Sequence, residues 1–215
     1  MPYTTIFFDL DGTLTDPTEG ITKSVRHALA AFGIHEELER LRPFIGPPLH
    51  RSFMAHYGFD EAQARRAVEV YRAYFAERGM YENLLFAGIA ELLRALRDAG
   101  RSLSVVTSKP TFFADQIVRH FGLNVYFDHV IGSNLDLSNA DKPLLVREAI
   151  ARYPDREATA FVMIGDREHD IIGGQANGIA TIGVTYGAGS REELAATRPT
   201  AIIDSIEALG AYLLG

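Results

Sequence analysis

Short apolar runs alternate with amphipathic stretches along most of the chain. Residues 5–8, 103–107, 160–164 and 180–184 are β-rich apolar runs, and 129–132 and 201–203 are weaker ones. Runs this short, apolar at successive positions, suit strands covered on both faces. Between them, Ile89, Leu92, Leu93 and Leu96 recur at helical spacing and stop at Gly100, a fitting left-handed cap. Residues 112–121 end at Gly122 in the same way, and Ser190 with Glu193 has the spacing of a capping box. This alternation predicts an α/β fold, a doubly wound, Rossmann-like parallel sheet with crossover helices.

Residues 17–80 interrupt the alternation, with two amphipathic patterns and no convincing strand. Ile21, Val25, Ala28, Leu29 and Phe32 form one stripe, ended by Gly33. Ala64, Ala67, Val68, Tyr71, Tyr74 and Phe75 form the second, started by Asp60 as N-cap and ended by Gly79. An all-helical insertion over 17–81 is therefore expected, within a catalytic core of 1–16 and 82–215. The expected hinges are 16–18 and 81–86. No internal repeat interrupts the pattern.

Composition narrows the chemistry. The 215 residues, 47% of them hydrophobic, suffice for a buried core. There is no cysteine, which removes disulfides, thiolate metal sites and any cysteine nucleophile. Lys plus Arg number 21 against 28 Asp plus Glu, and the resulting −7 gives nucleic-acid polymers no reason to bind. No apolar run approaches the ~18 residues of a membrane span, and carboxylates at Asp9 and Asp11 precede the first basic residue, Lys23. A soluble cytoplasmic protein, with neither membrane nor nucleic-acid partner, is the expectation. Oligomeric state leaves no mark on the sequence.

Three strand ends carry the candidate chemistry. The run 6–8 leads directly into Asp9, Leu10, Asp11, Gly12 and Thr13. Ligands of open parallel sheets sit outside the carboxyl ends of the strands. Asp9 and Asp11, two apart, can converge there on one ligand while Leu10 enters the core, and Gly12 permits a tight turn. A carboxylate can attack phosphorus and split one displacement into two, with its neighbour as general acid and base. The run 161–164 ends on Gly165 and Asp166, with Asp170 four residues on, facing the same way. Four carboxylates at one edge need a cation, and hard oxygen donors suit Mg²⁺. The middle strand ends in Thr107, Ser108, Lys109 and Pro110, and Lys142 stands before Pro143. A hydroxyl, free amides and a lysine at such positions can hold phosphoryl oxygens.

This pattern resembles the haloacid dehalogenase superfamily of phosphohydrolases. Its four motifs match at 9–13, 106–108, 142–143 and 165–166 with Asp170, in order along the whole chain. Within the superfamily the chain is similar to the phosphoglycolate phosphatase group with a helical cap, and residues 16–21 and 44–49 look like its 5′-nucleotidase branch. The resemblance implies a Mg²⁺-dependent phosphomonoesterase acting on small organic phosphates through an aspartyl phosphate. Asp9 would be the nucleophile and Asp11 the acid and base, with Thr107 and Lys142 on the phosphoryl oxygens. Mg²⁺ would be held by Asp9, the Asp11 carbonyl and Asp166, with Asp170 orienting that shell. Ser108 stands where many relatives of this group carry asparagine.

The cofactor expected is thus Mg²⁺ and the partner a small phosphomonoester. Gly12, Ser108, Gly46 and Arg51 are candidate substrate-binding residues, with Lys23, His50 and His56 also on the insertion. Dehalogenation is disfavoured because that branch lacks the second acid, and a sugar phosphomutase using the same aspartate is the alternative. Tyr71, Tyr74 and Phe75, at helical spacing, are expected to pack inside the insertion rather than stack on a base.

Overall fold

The computed structural model describes residues 3–136 and 138–215. The chain divides into two compact units, one built from the chain through Thr15 with Leu85–Gly215, the other from Asp16–Leu84. Among the described residues no helix is long and apolar enough to cross a membrane.

The larger unit contains a six-stranded sheet: β1 (Thr5–Phe8), β2 (Ser102–Pro110), β3 (His129–Ser133), β4 (Phe161–Gly165), β5 (Ala180–Val184) and β6 (Ala201–Ile203). Their spatial order is β3-β2-β1-β4-β5-β6, and every pairing is parallel. The chain therefore winds outward from β1 to β3, then crosses back and winds outward from β4. The point of reversal, between β1 and β4, is where such sheets open a crevice at their carboxyl ends. All four residues of β1 are buried, as expected of a central strand covered on both faces. Phe7 packs with Val106, Ile131, Leu145, Val146, Ala149, Phe161, Met163 and Ile179 in one core cluster.

Helices Lys142–Ala151 and Glu168–Ala176 follow β3 and β4 and pack on each other and on the sheet. Right-handed crossovers put the helices of the two windings on opposite faces. Helix Thr111–His120, which links β2 to β3, thus lies across the sheet from Lys142–Ala151. Register fixes the site: Phe8 pairs with Val105 on one side and Ile164 on the other, so the residues that follow each strand emerge side by side.

The smaller unit holds three α-helices, Thr18–Ala30, Leu49–Tyr57 and Glu61–Tyr74, with a 3₁₀ segment at Leu38–Phe44 and a π turn at Phe75–Gly79. The expected Asp60 cap forms a full capping box: its side chain accepts from the Gln63 amide at 2.8 Å, and Gln63 accepts from the Asp60 amide at 3.0 Å. Phe44, Phe53 and Phe59 make the aromatic centre, with ring separations of 4.9 and 5.9 Å. Tyr71 and Phe75 are buried and stacked at 5.4 Å, so both serve packing. Two amphipathic patterns were expected where three helices stand. Leu49–Tyr57 buries only Ser52 and Phe53, a stripe too narrow for periodicity to reveal.

Candidate active site

The turn after β1 is built on one carbonyl. The amides of Thr13, Leu14 and Thr15 all donate to Leu10 O, at 3.3, 2.9 and 3.0 Å, and Gly12 N donates to Thr15 O at 2.7 Å. Gly12 sits at φ +85°, and a Cβ there would come within 2.2 Å of Asp166 Oδ2. Both facts demand glycine. Asp9 stays in line with the sheet, its amide donating to Ile164 O at 2.9 Å, and Leu10 is fully buried between the two acids.

Three carboxylates meet at this edge. Asp9, Asp166 and Asp170 are all buried, and each offers an oxygen within 4.8 Å of the others. Lys142 is the cation among them, with its Nζ 2.8 Å from Asp9 Oδ1, 2.7 Å from Asp170 Oδ1 and 3.0 Å from Val106 O. Three acceptors use all three of its protons. Burial works against its charge, but Asp170 and Asp9 outweigh that and hold its pKa above the ordinary value. The close fit extends behind it, since a Cβ on Gly173 would lie 2.5 Å from Lys142 Cγ.

Among the described residues no lysine or arginine forms an ion pair with Asp166, and Arg167 only lowers its pKa from a distance. Asp166 Oδ2 accepts from the amides of Ala188 and Gly189 at 2.8 and 3.4 Å, and its Oδ1 from the Thr13 hydroxyl at 3.3 Å. Burial, then the charges of Asp170 and Asp9, push it up to about 8, against the pull of the Ala188 amide. Burial also raises Asp170, with Lys142 opposing and Asp9 adding, to about 6. A divalent cation bound here would offset the carboxylate charge. Three carboxylates offering hard oxygen donors fit such an ion, and among the described residues no soft or imidazole donor joins the cluster.

Asp11 does not join it. Its Oδ2 lies 2.6 Å from Lys109 Nζ, and both side chains are nearly buried. Burial raises its pKa and Lys109 opposes the rise. Lys109 was not among the expected site residues. The available signal was local: Lys109 precedes Pro110 at a strand end, as Lys142 precedes Pro143.

The remaining expected residues separate into two groups. Thr107 is buried at the end of β2, and its Oγ1 accepts from the Lys109 amide at 3.3 Å. Ser108 spends its hydroxyl on Ala140 O at 3.2 Å, while its carbonyl accepts from Ser133 Oγ at 2.9 Å, so it fastens the strand end to the loop before Lys142. Gly46 and Arg51 belong to the smaller unit, Gly46 at φ +101° and Arg51 exposed in the first turn of Leu49–Tyr57. Lys23 there is paired with Glu19 and Glu82 at 2.5 and 2.8 Å.

The Ser190 box forms only half. Ser190 Oγ accepts from the Glu193 amide at 3.1 Å, but the Glu193 carboxylate goes to Arg167 Nε at 2.8 Å and to the Glu168 amide at 2.9 Å. A long-range ion pair beside Asp166 has taken the group that local spacing assigned to the cap.

A family model described as haloacid dehalogenase-like hydrolase matches residues 6–184. Among curated proteins, a 5′-nucleotidase of Pseudomonas aeruginosa is 51% identical over 96% of this chain and 94% of its own. A tyrosine-protein kinase, PtkA, of Mycobacterium tuberculosis is 40% identical over 95% of this chain and 72% of its own. A crystal structure of a predicted phosphatase from Clostridium acetobutylicum superposes with a TM-score of 0.96 at 46% identity, covering 100% of this chain and 99% of that one. The chain belongs to the haloacid dehalogenase-like hydrolases, among the phosphatases of that superfamily.

Proposed function

We propose that the chain is a Mg²⁺-dependent phosphomonoesterase that works through an aspartyl phosphate on Asp9, with nucleoside 5′-monophosphates as the first substrate class and phosphoglycolate as the second. One observation carries the reading: Asp9 is gripped by Lys142 through Oδ1 alone, at 2.8 Å, inside a buried acidic cluster, while a second acid is held apart two residues on. That leaves Asp9 Oδ2 to attack phosphorus. The P–O bond to the leaving group breaks as the new bond forms, and Asp11 gives its proton to the departing oxygen. Water then attacks the acyl phosphate, Asp11 takes the proton, and the Asp9 carboxylate returns with release of inorganic phosphate.

Lys142 keeps the nucleophile in place and carries positive charge to the phosphoryl group, and Thr107 offers a hydroxyl to its oxygens. Asp9, Asp166 and the Asp11 carbonyl would hold Mg²⁺, with Asp170, in the same buried cluster and paired with Lys142, orienting that shell. Bound there, the ion would shield the phosphoryl charge from the carboxylates. The substrate class rests on the 44–49 segment and on the relative named a 5′-nucleotidase.

The test is phosphate release from nucleotide, glycolate, sugar and aryl phosphates, with Mg²⁺ and after chelation. Turnover should vanish with the metal and return with it. Asp9→Asn should keep its fold and lose at least about a thousandfold in kcat, since the nucleophile is gone. Retained turnover in that variant would overturn the mechanism. Phosphate moved to a second position of a sugar, or to a tyrosine, would change the acceptor from water.

A further inference from the structure

The two oxygens of Asp11 have opposite surroundings. Oδ2 is ion-paired with Lys109 at 2.6 Å, the side chains being 10% and 7% exposed. Oδ1 is buried and has no hydrogen-bond partner. An unsatisfied buried acceptor costs on the order of 1–3 kcal/mol, more when charged, and a native site that keeps one invites a group that completes it. Lys109 is itself well anchored. Its amide donates to Thr107 Oγ1 at 3.3 Å, and the pairing of β2 with β3 shifts register between Val106 and Pro110, so residues 107–109 leave the regular ladder where the phosphoryl-binding hydroxyl stands.

We propose that Lys109 is a positioning residue for the proton transfer. It holds Asp11 by Oδ2, keeps that carboxyl out of the Asp9, Asp166 and Asp170 cluster, and leaves Oδ1 facing the leaving oxygen of the phosphomonoester. The inference rests on Asp11 being the acid and base. As the P–O bond breaks, its electron pair stays on the leaving oxygen. The proton on Asp11 Oδ1 passes to that oxygen, and the carboxylate left behind has Lys109 as its counter-ion. Lys142 performs the equivalent task for the nucleophile, so each aspartate of the first turn faces a lysine, Lys109 from the end of β2 and Lys142 from the first turn of helix Lys142–Ala151.

Leaving-group dependence separates this role from the others. Lys109→Met, Lys109→Arg and Asp11→Asn would be compared with the wild type in Mg²⁺, on a nucleoside 5′-monophosphate and on p-nitrophenyl phosphate. An alkoxide needs the proton and a nitrophenolate does not. Lys109→Met should lower kcat on the nucleotide by about a hundredfold and on the aryl ester by less than about fivefold, with KM within about threefold on both. Lys109→Arg should recover at least about tenfold on the nucleotide. The ratio of the two substrates does not depend on how much enzyme is folded, so a stability loss cannot mimic the result. Equal losses on both substrates, or a raised KM with kcat kept, would overturn the positioning role. If Asp11→Asn discriminates between the substrates and Lys109→Met does not, only Lys109 loses its role. Equal losses in Asp11→Asn would defeat the acid–base reading itself, and this inference with it.

Discussion

Replacing Asp166 by Asn should stabilise the metal-free protein while destroying its activity. The amide can keep every hydrogen bond: its oxygen can accept from the Ala188 and Gly189 amides, and its nitrogen can donate to the Thr13 hydroxyl. What it removes is a buried charge. Carrying a carboxyl from 3.8 to about 8, at 1.36 kcal/mol per tenfold in proton affinity, disfavours its ionised form by on the order of 5 kcal/mol. The sign with pH follows from proton counting. Between about pH 4 and 8 the folded chain binds a proton at Asp166 that the unfolded chain has released, so stability is fully present below that window and falls as pH rises through it. Asp170, raised to about 6, acts in the same direction at lower pH, and Asp11, also raised by burial, acts alike in wild type and variant, so the share of Asp166 is read from their difference between about pH 6.5 and 8.5. Over that range the metal-free wild type should lose roughly 2 kcal/mol, or about 4–8 °C in Tm for a chain of this length. Asp166→Asn should lack this decline and at pH 8.5 should melt roughly 10 °C or more above the wild type. Thermal melts with chelator and with Mg²⁺ give the measurement. Mg²⁺ should raise the wild-type Tm more at pH 8.5 than at 6.5, because protons compete for the same oxygens, and should leave the variant nearly unmoved. A flat wild-type Tm between pH 6.5 and 8.5 in chelator, or a variant less stable than the wild type at pH 8.5, would refute the reasoning.

Lys142→Met leaves Asp9 and Asp170 buried without their shared cation, which should cost about 3–5 kcal/mol at neutral pH, and chemical denaturation showing less than about 1 kcal/mol would count against it. The deficit should shrink as pH falls and the orphaned carboxyls protonate. Gly12→Ala forces a side chain at φ +85° and drives Cβ toward Asp166 Oδ2; a loss of at least about 1–2 kcal/mol is expected, with a weaker Mg²⁺-induced rise in Tm. A variant with unchanged Tm and metal response would show that the turn has room.

The sequence by itself determined the sheet. A parallel strand buried on both faces must be apolar at successive positions, so 5–8, 160–164 and 180–184 stand out without any contact being known. The acids that follow β1 and β4 were legible for the same reason, because a carboxylate directly after such a run has to lie at a sheet edge. Which charges pair there was decided only in three dimensions. Lys142 reaches Asp9 across 133 positions and Lys109 reaches Asp11 from a different strand, and local spacing carries nothing about either distance. Strand order decides it by placing β2 and β4 on either side of β1, with helix Lys142–Ala151 crossing over after β3. The same physics explains what local patterns missed. Glu193 left its capping box because the Arg167 guanidinium and the Glu168 amide together bind its carboxylate better than one Ser190 amide would. Helix Leu49–Tyr57 buries Phe53 against Phe44 and Phe59, which lie just outside it, and a stripe of two buried residues acquires meaning only when such partners are in place.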